Sequence, residues 1–534
     1  MLGFLPTYTR AFVFVLVALI GARVFMRIIR FTPENDSAWF RAWLVLTAAA
    51  FFGGHFLIYS LLVGIVCAML AAPGTTNRVQ AYVVLLPLIP LFSYTLPGAF
   101  GISYILMLDH FRVLTICILL PAFFHAPAQD YSPKVVRNTV DFFFLGYCLW
   151  MILLNFTQRE TVTDVLRGTV ETLLFILLPF YAVRRLLGSA KDIEKVLVAM
   201  VFASILVGFV GIVEETFRWS FFDYISSTLH MDARRDFTRA QDIRFGLIRV
   251  KATIDGGVGY FFMLSIGAAI CSHQLKLIPK RVFFPLLLIL VTCLIFTGSR
   301  GPWFATAIMV CLMLFFRLFQ TPVRLFFVAV AAIFLLPIVQ GMILNTSDPF
   351  DTFSYRKKLL ESSIPVIRQK PLLGWDNMQA LEASGLLEHL RQGQGIIDIV
   401  NTFVGEALFG GIPRVVLFGG IFFGCLWSVV QRHKRDMVRG DLSKAPIAAF
   451  LSALTIATVF LLITVSMVGH IPAYVFLAAS LCSAYAARPV REATEVAATQ
   501  TDALSARSGG SRSEHRLVKG HRLPGYSDRM KPAR

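Results

Sequence analysis

Apolar runs close to the length that crosses a bilayer recur along this chain from Ala11 to Ala487. Roughly 20 helical residues span the hydrocarbon layer, and a backbone there has to satisfy its polar groups internally. With hydrophobic residues at 56%, charged residues at 15% and a mean hydropathy of +0.69, 534 residues lack the polar surface to cover a soluble fold. Lipid is therefore the expected solvent for most of the chain. The opening run, MLGFLPTYTRAFVFVLVALIGARVF, lacks a basic n-region and a small-residue cleavage site and reads as a retained first helix.

Runs bounded by charges, Pro and Gly place spans near 10–29, 41–72, 79–97, 110–124, 138–156, 168–185, 192–217, 256–273, 281–298, 301–318, 322–345, 402–430, 445–468 and 469–487. The 41–72 run is long for one helix, and Gly53-Gly54-His55 is a natural break within it. The expected fold is an all-α polytopic transmembrane bundle of about 12–14 spans. It divides into N-terminal helices (1–217), a first long loop (218–255), central helices (256–345), a second long loop (346–400), C-terminal helices (401–487) and a tail (488–534).

The formal charge of +18 would suggest nucleic acid in a soluble protein, but the basic residues sit mainly in connections between apolar runs. They read as topology signals. Arg184, Arg185, Lys191 and Lys195, then Lys276, Lys280 and Arg281, then Arg317 and Arg324, then Arg432, Lys434, Arg435, Arg439 and Lys444 mark one side as cytoplasmic. Alternation puts both long loops and Arg300 on the other side and the tail inside. Arg23, Arg27 and Arg30 fit this scheme poorly, which leaves the first helix's orientation open. The tail, rich in Ser, Gly, Arg and Lys, has the composition of a disordered segment, either simply solvated or in contact with anionic headgroups. Eight cysteines are scattered without a C-x-x-C pair, which argues against structural zinc or a disulfide framework.

The chemistry is expected in the long loops, because the helices themselves need only short connections. In the first, Arg244, Arg249 and Lys251 stand just before a glycine-rich helix entry, a pattern suited to an anion. In the second, Arg356, Lys357, Arg368 and Asp398 stand near the membrane surface, and between the loops Arg300 occupies a tight turn in TGSRGPW. Each has a plainer reading. Arg300 can snorkel to headgroups, Arg356 and Lys357 can form a solvated helix face, and Asp398 can cap the helix that follows. Gly256, Gly257 and Gly259 suit helix packing, and His230 and His389 suit exposure. The combination is more telling: several arginines and a carboxylate on one side of the membrane, with no D-x-D in those loops, no H-E-x-x-H and no P-loop. Bidentate guanidinium contacts fit metal-independent handling of a diphosphate.

Four stretches carry a family resemblance: GAFGISYILMLDHFRVLTICILLPAFF; RFGLIRVKAT; TGSRGPWFATAIMVCLMLF; and SYRKKLLESSIPVIRQKPLLGW followed by DIVNTFVGEALFGGIPRVVLF. In their order and spacing the chain resembles the O-antigen ligase and O-antigen polymerase family of bacterial envelope glycosyltransferases, most closely over about 240–430. The resemblance implies a glycosyltransferase-C-like helical fold in the bacterial inner membrane and a lipid-diphosphate-linked glycan donor used on the periplasmic face. The family's outer-loop arginines match Arg249 and Arg356, and its S-R-G arginine matches Arg300. Its ligases usually carry a histidine where the last loop re-enters the membrane; here Asp398 and Asn401 stand there instead, which favours a polymerase of exopolysaccharide or O-antigen units.

The expected reaction is inverting transfer from an undecaprenyl-diphosphate-linked oligosaccharide to a hydroxyl of a polysaccharide acceptor. Asp398 is the expected base, Arg249, Arg300 and Arg356 the charge-stabilising groups, and Arg244, Lys251, Lys357 and Asn401 the substrate-binding residues, with no metal and no cofactor. A chain-length regulator and a flippase are the expected protein partners. The competing readings are a ligase to lipid A-core, an anion or solute transporter, and a non-catalytic assembly factor. A transporter site belongs near the midplane on broken, repeated helices, whereas these residues lie in loops and at helix ends.

Overall fold

The computed structural model describes residues 6–70, 75–90, 92–98, 104–125, 138–159, 161–229, 243–244, 246–319, 352–391 and 397–487. The expected span at 322–345, His230 and the tail at 488–534 lie outside them. The described chain is a helical bundle with two small hairpins. Six of its helices are long and apolar enough to cross a membrane: Thr7–Ile29, Thr139–Gln158, Val162–Leu186, Ala190–Phe217, Thr402–Val438 and Ala445–Thr464.

The first helices are α1 (Thr7–Ile29), α2 (Asp36–Phe52), α3 (Phe56–Leu70) and α4 (Thr75–Leu88). The expected 41–72 run does break at Gly53-Gly54-His55: Gly54 takes φ +67, and Phe56 N donates to Leu229 O at 3.0 Å. The 79–97 span requires correction. Its helix ends at Leu88, and Ser93–Pro97 (β1) pairs antiparallel with Tyr104–Asp109 (β2). Pro87, Pro90 and Pro97 supply the reason, since proline removes a helical donor and drives the preceding residue toward extended backbone.

After β2 the chain runs through α5 (His110–Leu114), a π-helical turn (Thr115–Leu119) and α6 (Leu120–His125), then α7 (Thr139–Gln158) and α8 (Val162–Thr172). A second π-helical turn (Leu173–Leu177) leads into α9 (Leu178–Leu186), followed by α10 (Ala190–Phe217) and the short α11 (Ile225–Thr228). A hairpin of β3 (Ile243–Arg244) and β4 (Leu247–Ile248) precedes α12 (Val258–Gln274), α13 (Lys280–Phe296) and α14 (Arg300–Phe319). The second long loop contributes α15 (Thr352–Gln369) and α16 (Met378–Ala383), and α17 (Thr402–Val438), α18 (Ala445–Thr464) and α19 (Ile471–Ala487) complete the bundle.

The bundle sorts its charges by end. At one end Lys444 Nζ lies 2.7 Å from Glu194, Arg432 pairs with Asp436 at 2.9 Å, and Arg184 pairs with Asp141. Helix α1 packs antiparallel to α10: Phe14 lies 4.3 Å from Phe217 and Phe25 lies 5.5 Å from Phe209, ring centre to ring centre, and Glu34 meets Lys195 at 3.5 Å. Arg23, Arg27 and Arg30 therefore fall at the basic end with the other topology signals, which resolves the orientation the sequence leaves open. The long loops gather at the opposite end, where Gln158 Nε2 at the close of α7 donates to Leu373 O at 2.8 Å.

Between the ends, helices approach through small residues. A Cβ on Gly424 would stand 2.8 Å from Val140 N, and one on Gly420 would stand 2.2 Å from the Phe143 ring, so α17 and α7 pack backbone to backbone along a G-x-x-x-G face. Gly257 faces His470 Cβ and Gly259 faces Pro302, which is the packing reading of that glycine cluster, while Gly256 faces open space.

Candidate functional site: an arginine rim and an adjoining cavity

At the long-loop end, Arg249 leaves the β3–β4 hairpin, and the next residue, Val250, donates its N–H to Phe296 O at 3.1 Å. That bond docks the Arg249 segment on the turn Thr297-Gly298-Ser299, which leads to Arg300 at the start of α14. The turn is held by Thr297, whose hydroxyl donates to Leu294 O at 2.7 Å, and by Trp303, whose Nε1 also donates to Leu294 O at 2.7 Å.

The next residue along, Gly301, packs on Thr464, where an added Cβ would lie 2.8 Å from Oγ1. Arg356 Nη2 donates to Thr464 O at 3.0 Å. The two following residues tie down the end of the second loop: Thr402 Oγ1 donates to Val465 O at 2.7 Å and Ser466 Oγ donates to Ile399 O at 2.8 Å. Asp398 is fixed through its backbone, since Tyr355 OH donates to Asp398 O at 2.8 Å and accepts from Asp398 N at 3.1 Å. Burial raises the Tyr355 phenol above its ordinary range, and the neighbouring Asp398 charge adds to the rise. Segments bearing Arg300, Arg356 and Asp398 thus meet around the last residues of α18, and the Arg249 segment docks beside the turn that leads to Arg300, although the four are far apart in the chain.

Glu214, in the last turn of α10, organises the approach to this rim. Its buried carboxylate accepts from Phe221 N at 3.2 Å, Lys251 N at 3.3 Å and Ala252 N at 2.8 Å. Ala252 is held at φ +48, a left-handed conformation that costs a residue with a Cβ roughly 1–2 kcal/mol. Lys251 Nζ points to Asp223 at 3.9 Å.

The remaining expected residues divide. Asn401 is the N-cap of α17, its Oδ1 accepting from Val404 N at 3.2 Å, so the capping role weighed for Asp398 falls to Asn401. Lys357 is exposed and pairs with Glu361 at 4.0 Å on the outer face of α15, the geometry of a solvated helix face. The backbone of Arg244 pairs with Leu247 in the hairpin, and its side chain lies outside the described residues. His389 Nε2 meets Ser362 Oγ at 2.7 Å in an exposed contact. Among the described residues, no three His, Cys, Asp or Glu side chains cluster as metal ligands.

On the far side of Thr464–Ser466 lies a cavity of about 330 Å³, whose wall includes Met467 and Gly469. Two ion pairs line it. Arg414 Nε lies 2.7 Å from Glu406 Oε2, with Tyr147 OH donating to the same oxygen at 3.0 Å. Arg112 lies 3.4 Å from Asp109, and outside the lining it also meets Glu171 at 3.1 Å. Burial raises the Asp109 carboxyl, against the pull of Arg112. A second cavity of about 470 Å³ adjoins it, sharing Met151 and Arg414, and opens beside Asn155, Gln158 and Asp376.

The shape of the cavity follows from a kink in α17. Gly411 takes φ 73 and ψ −179, and Pro413 follows two residues later. The backbone groups this frees are bonded elsewhere: Leu408 O accepts from Trp375 N at 2.6 Å, Gly410 O accepts from Trp150 Nε1 at 2.9 Å, and Ile412 N donates to Pro371 O at 2.8 Å. A Cβ on Gly411 would stand 2.0 Å from Leu372 O.

The fold and these sites define a multi-pass α-helical membrane protein with a chamber that holds ion pairs in a largely apolar wall and an arginine-bearing rim at its long-loop end. Residues 285–419 match the family model described as O-antigen ligase, which supports the resemblance to the O-antigen ligase and polymerase family and glycan transfer by a membrane enzyme. No curated protein matches the chain. The matched stretch is narrower than the resemblance at 240–430 and contains Arg300, Arg356, Lys357, Asp398 and Asn401, while Arg244, Arg249 and Lys251 precede it.

Sequence reasoning missed Glu214, Glu406, Arg414, Asp109, Arg112 and Tyr147. A signal existed for the charged ones: ionisable residues inside or beside apolar runs are costly and point to function. Glu406 and Arg414 stand inside the apolar run 402–430, and Glu214 stands near the end of the run 192–217.

Proposed function

We propose that the chain polymerises undecaprenyl-diphosphate-linked oligosaccharide repeat units into exopolysaccharide or O-antigen, at the periplasmic face of a bacterial inner membrane. The observation that carries this reading is the meeting of the Arg300, Arg356 and Asp398 segments around Thr464–Ser466, with the Arg249 segment docked beside the turn before Arg300. In this reading the long-loop end is periplasmic, and the basic end and the tail are cytoplasmic. A chain-length regulator and a flippase are natural partners of such an enzyme.

An acceptor hydroxyl attacks the anomeric carbon of the donor with inversion. Asp398 takes the hydroxyl proton, the bond from the anomeric carbon to the diphosphate oxygen breaks, and its electron pair leaves on the diphosphate. Arg249, Arg300 and Arg356 stabilise the charge that develops there, the role for which preorganised donors are worth most. Lys251 adds positive charge on the hairpin side. The diphosphate is already a good leaving group, so charge stabilisation and proton removal are the main demands on the protein.

The test is reconstitution of the purified full chain with an undecaprenyl-diphosphate-linked repeat unit, with and without lipid A-core, and gel resolution of the products. A length ladder without the core is the expected result. Transfer to the core alone makes the protein a ligase, and no product from an authentic donor refutes glycan transfer in favour of transport or assembly.

A further inference from the structure

The paired chambers beside the rim carry charges that the proposed transfer does not use. Around the inner chamber stand two carboxylates, Asp109 and Glu406, against two guanidiniums, Arg112 and Arg414, and Glu171 engages Arg112 from outside the lining. Both guanidiniums are already engaged by carboxylates, and in the outer chamber Arg159 donates to Asn155 Oδ1 and shares the wall with Asp164 and Asp376, so cations and carboxylates are balanced there too. The rim carries Arg249, Arg300, Arg356 and Lys251, the residues that the proposed transfer assigns to the diphosphate. An anionic head group and an uncharged glycan are therefore directed to different places on the same end of the protein.

We propose that the two chambers joined at Arg414 and Met151 form a carbohydrate site, which holds hydroxyl-bearing, uncharged sugar residues while the rim holds the diphosphate. This rests on the glycan-transfer reading and assigns the part of the substrate that the rim leaves unaccounted for. Ion-paired carboxylates and guanidiniums present acceptors and donors side by side, which is what vicinal sugar hydroxyls require. Asn155, Gln158 and Asp376 add amide and carboxylate groups at the opening, and Tyr147, Phe175 and Phe180 supply aromatic faces for sugar C–H groups deeper in. Each chamber falls within the roughly 300–1,000 Å³ typical of small-ligand sites. A prenyl chain would find apolar wall at Ile176, Phe476 and Leu477, but it would strip water from the Arg414–Glu406 and Arg112–Asp109 pairs and return no hydrogen bond, which favours the sugar.

The test uses the full chain in nanodiscs and two probes: the repeat-unit oligosaccharide released from its diphosphate, and undecaprenyl diphosphate without sugar. Binding is read from tryptophan fluorescence, Trp150 and Trp375 each being adjacent in sequence to a chamber residue, and from calorimetry. Two variants perturb the chambers with little risk to the fold. Asp376→Ala removes an exposed carboxylate, and Met151→Trp fills the neck between the cavities. Both are expected to weaken the oligosaccharide at least tenfold and leave undecaprenyl diphosphate within twofold of wild type, with Arg249→Ala giving the reverse pattern.

Wild-type oligosaccharide affinity in both chamber variants overturns the proposal, as does displacement of the oligosaccharide by undecaprenyl diphosphate or no oligosaccharide binding at millimolar concentration. A protein that binds the oligosaccharide through the chambers but gives no product from an authentic donor upholds the carbohydrate site and refutes the transfer reaction. Transfer that is insensitive to both chamber variants does the opposite.

Discussion

Removing the Glu214 carboxylate should disable the enzyme through the backbone of a loop, without touching substrate. Three buried N–H groups, of Phe221, Lys251 and Ala252, converge on its two oxygens. A buried donor left unsatisfied costs about 1–3 kcal/mol, so Glu214→Ala forfeits roughly 3–9 kcal/mol in gross terms. Burying the carboxylate itself is expensive, and its removal returns part of that sum. A net loss of about 3–5 kcal/mol is the working expectation. Glu214→Gln keeps one acceptor oxygen and turns an amide NH2 toward the remaining donors, which places it at about half that loss.

The damage should be local first. Ala252 sits at φ +48 only while its N–H is bonded to Glu214, and release of that strain lets the 249–252 segment relax away from Phe296. The expected outcome for Glu214→Gln is a lowered melting temperature and a transfer rate at least tenfold down, with KM for the lipid-linked donor raised, because Arg249 and Lys251 are displaced together. A cycle with Arg249→Ala separates positioning from general instability. If Glu214 acts through the Arg249 segment, the double variant transfers no more slowly than Arg249→Ala alone. Wild-type transfer and melting in Glu214→Gln, or rate losses that simply multiply in the double variant, would refute the reasoning.

Other substitutions test the rest of the arrangement. Arg300→Ala and Arg356→Ala should each lower transfer about 10²–10³-fold, by analogy with loss of one oxyanion donor; wild-type polymer yield at normal protein levels would remove that residue from the charge-stabilising set. Lys357→Ala should stay within about twofold of wild type, since exposed ion pairs contribute little, and a null phenotype would bring Lys357 back into the site. Gly411→Ala should fail to yield folded protein, because its Cβ meets Leu372 O at 2.0 Å, whereas Gly419→Ala, with nothing within 4 Å, should melt like wild type; equal melting of the two would contradict the kink. Gly424→Leu should separate α7 from α17 and lower detergent stability sharply, read by fluorescence-detected size exclusion.

The helical bundle was legible because apolar length is a property of consecutive residues. So was the break at Gly53-Gly54-His55, where the turn residues stand in the run itself. The hairpin at 93–109 was not, because LFSYTL is as apolar as a span and only its prolines argue otherwise. Arg249, Arg300, Arg356 and Asp398 could be nominated from loop position and family motif, but their gathering near Thr464–Ser466 depends on contacts between residues 46 to 163 positions apart. Thr464, Val465 and Ser466 carry no signal of their own: their part is played mainly by two carbonyls and one hydroxyl, groups found throughout any chain. Glu214 illustrates the same limit, since its partners are main-chain N–H groups that have no side-chain signature. Arg23, Arg27 and Arg30 left the first helix's orientation open because a charge count says nothing of which helix packs beside which, and the α1–α10 contacts supply that information.

Helix α17 joins the rim to the chambers. Its N-cap, Asn401, follows Asp398 by three residues, and Glu406 lies five residues further in, about 7–8 Å along a helix that rises 1.5 Å per residue. Between Glu406 and its partner Arg414 comes the kink at Gly411, where the freed Leu408 O and Ile412 N are bonded by Trp375 N and Pro371 O. The residue after Trp375 is Asp376, at the mouth of the outer chamber. The loop that frames the opening is therefore hydrogen-bonded to the one place where α17 is not helical. Any movement at Gly411 shifts the opening and the Glu406–Arg414 pair together, while the helical turn that starts at Asn401 keeps Asp398 anchored to α18. On the proposed polymerase reading, a glycan held in the chambers would in this way be repositioned against Asp398 as base and the rim arginines as diphosphate site, as a polymerase requires each time its product lengthens.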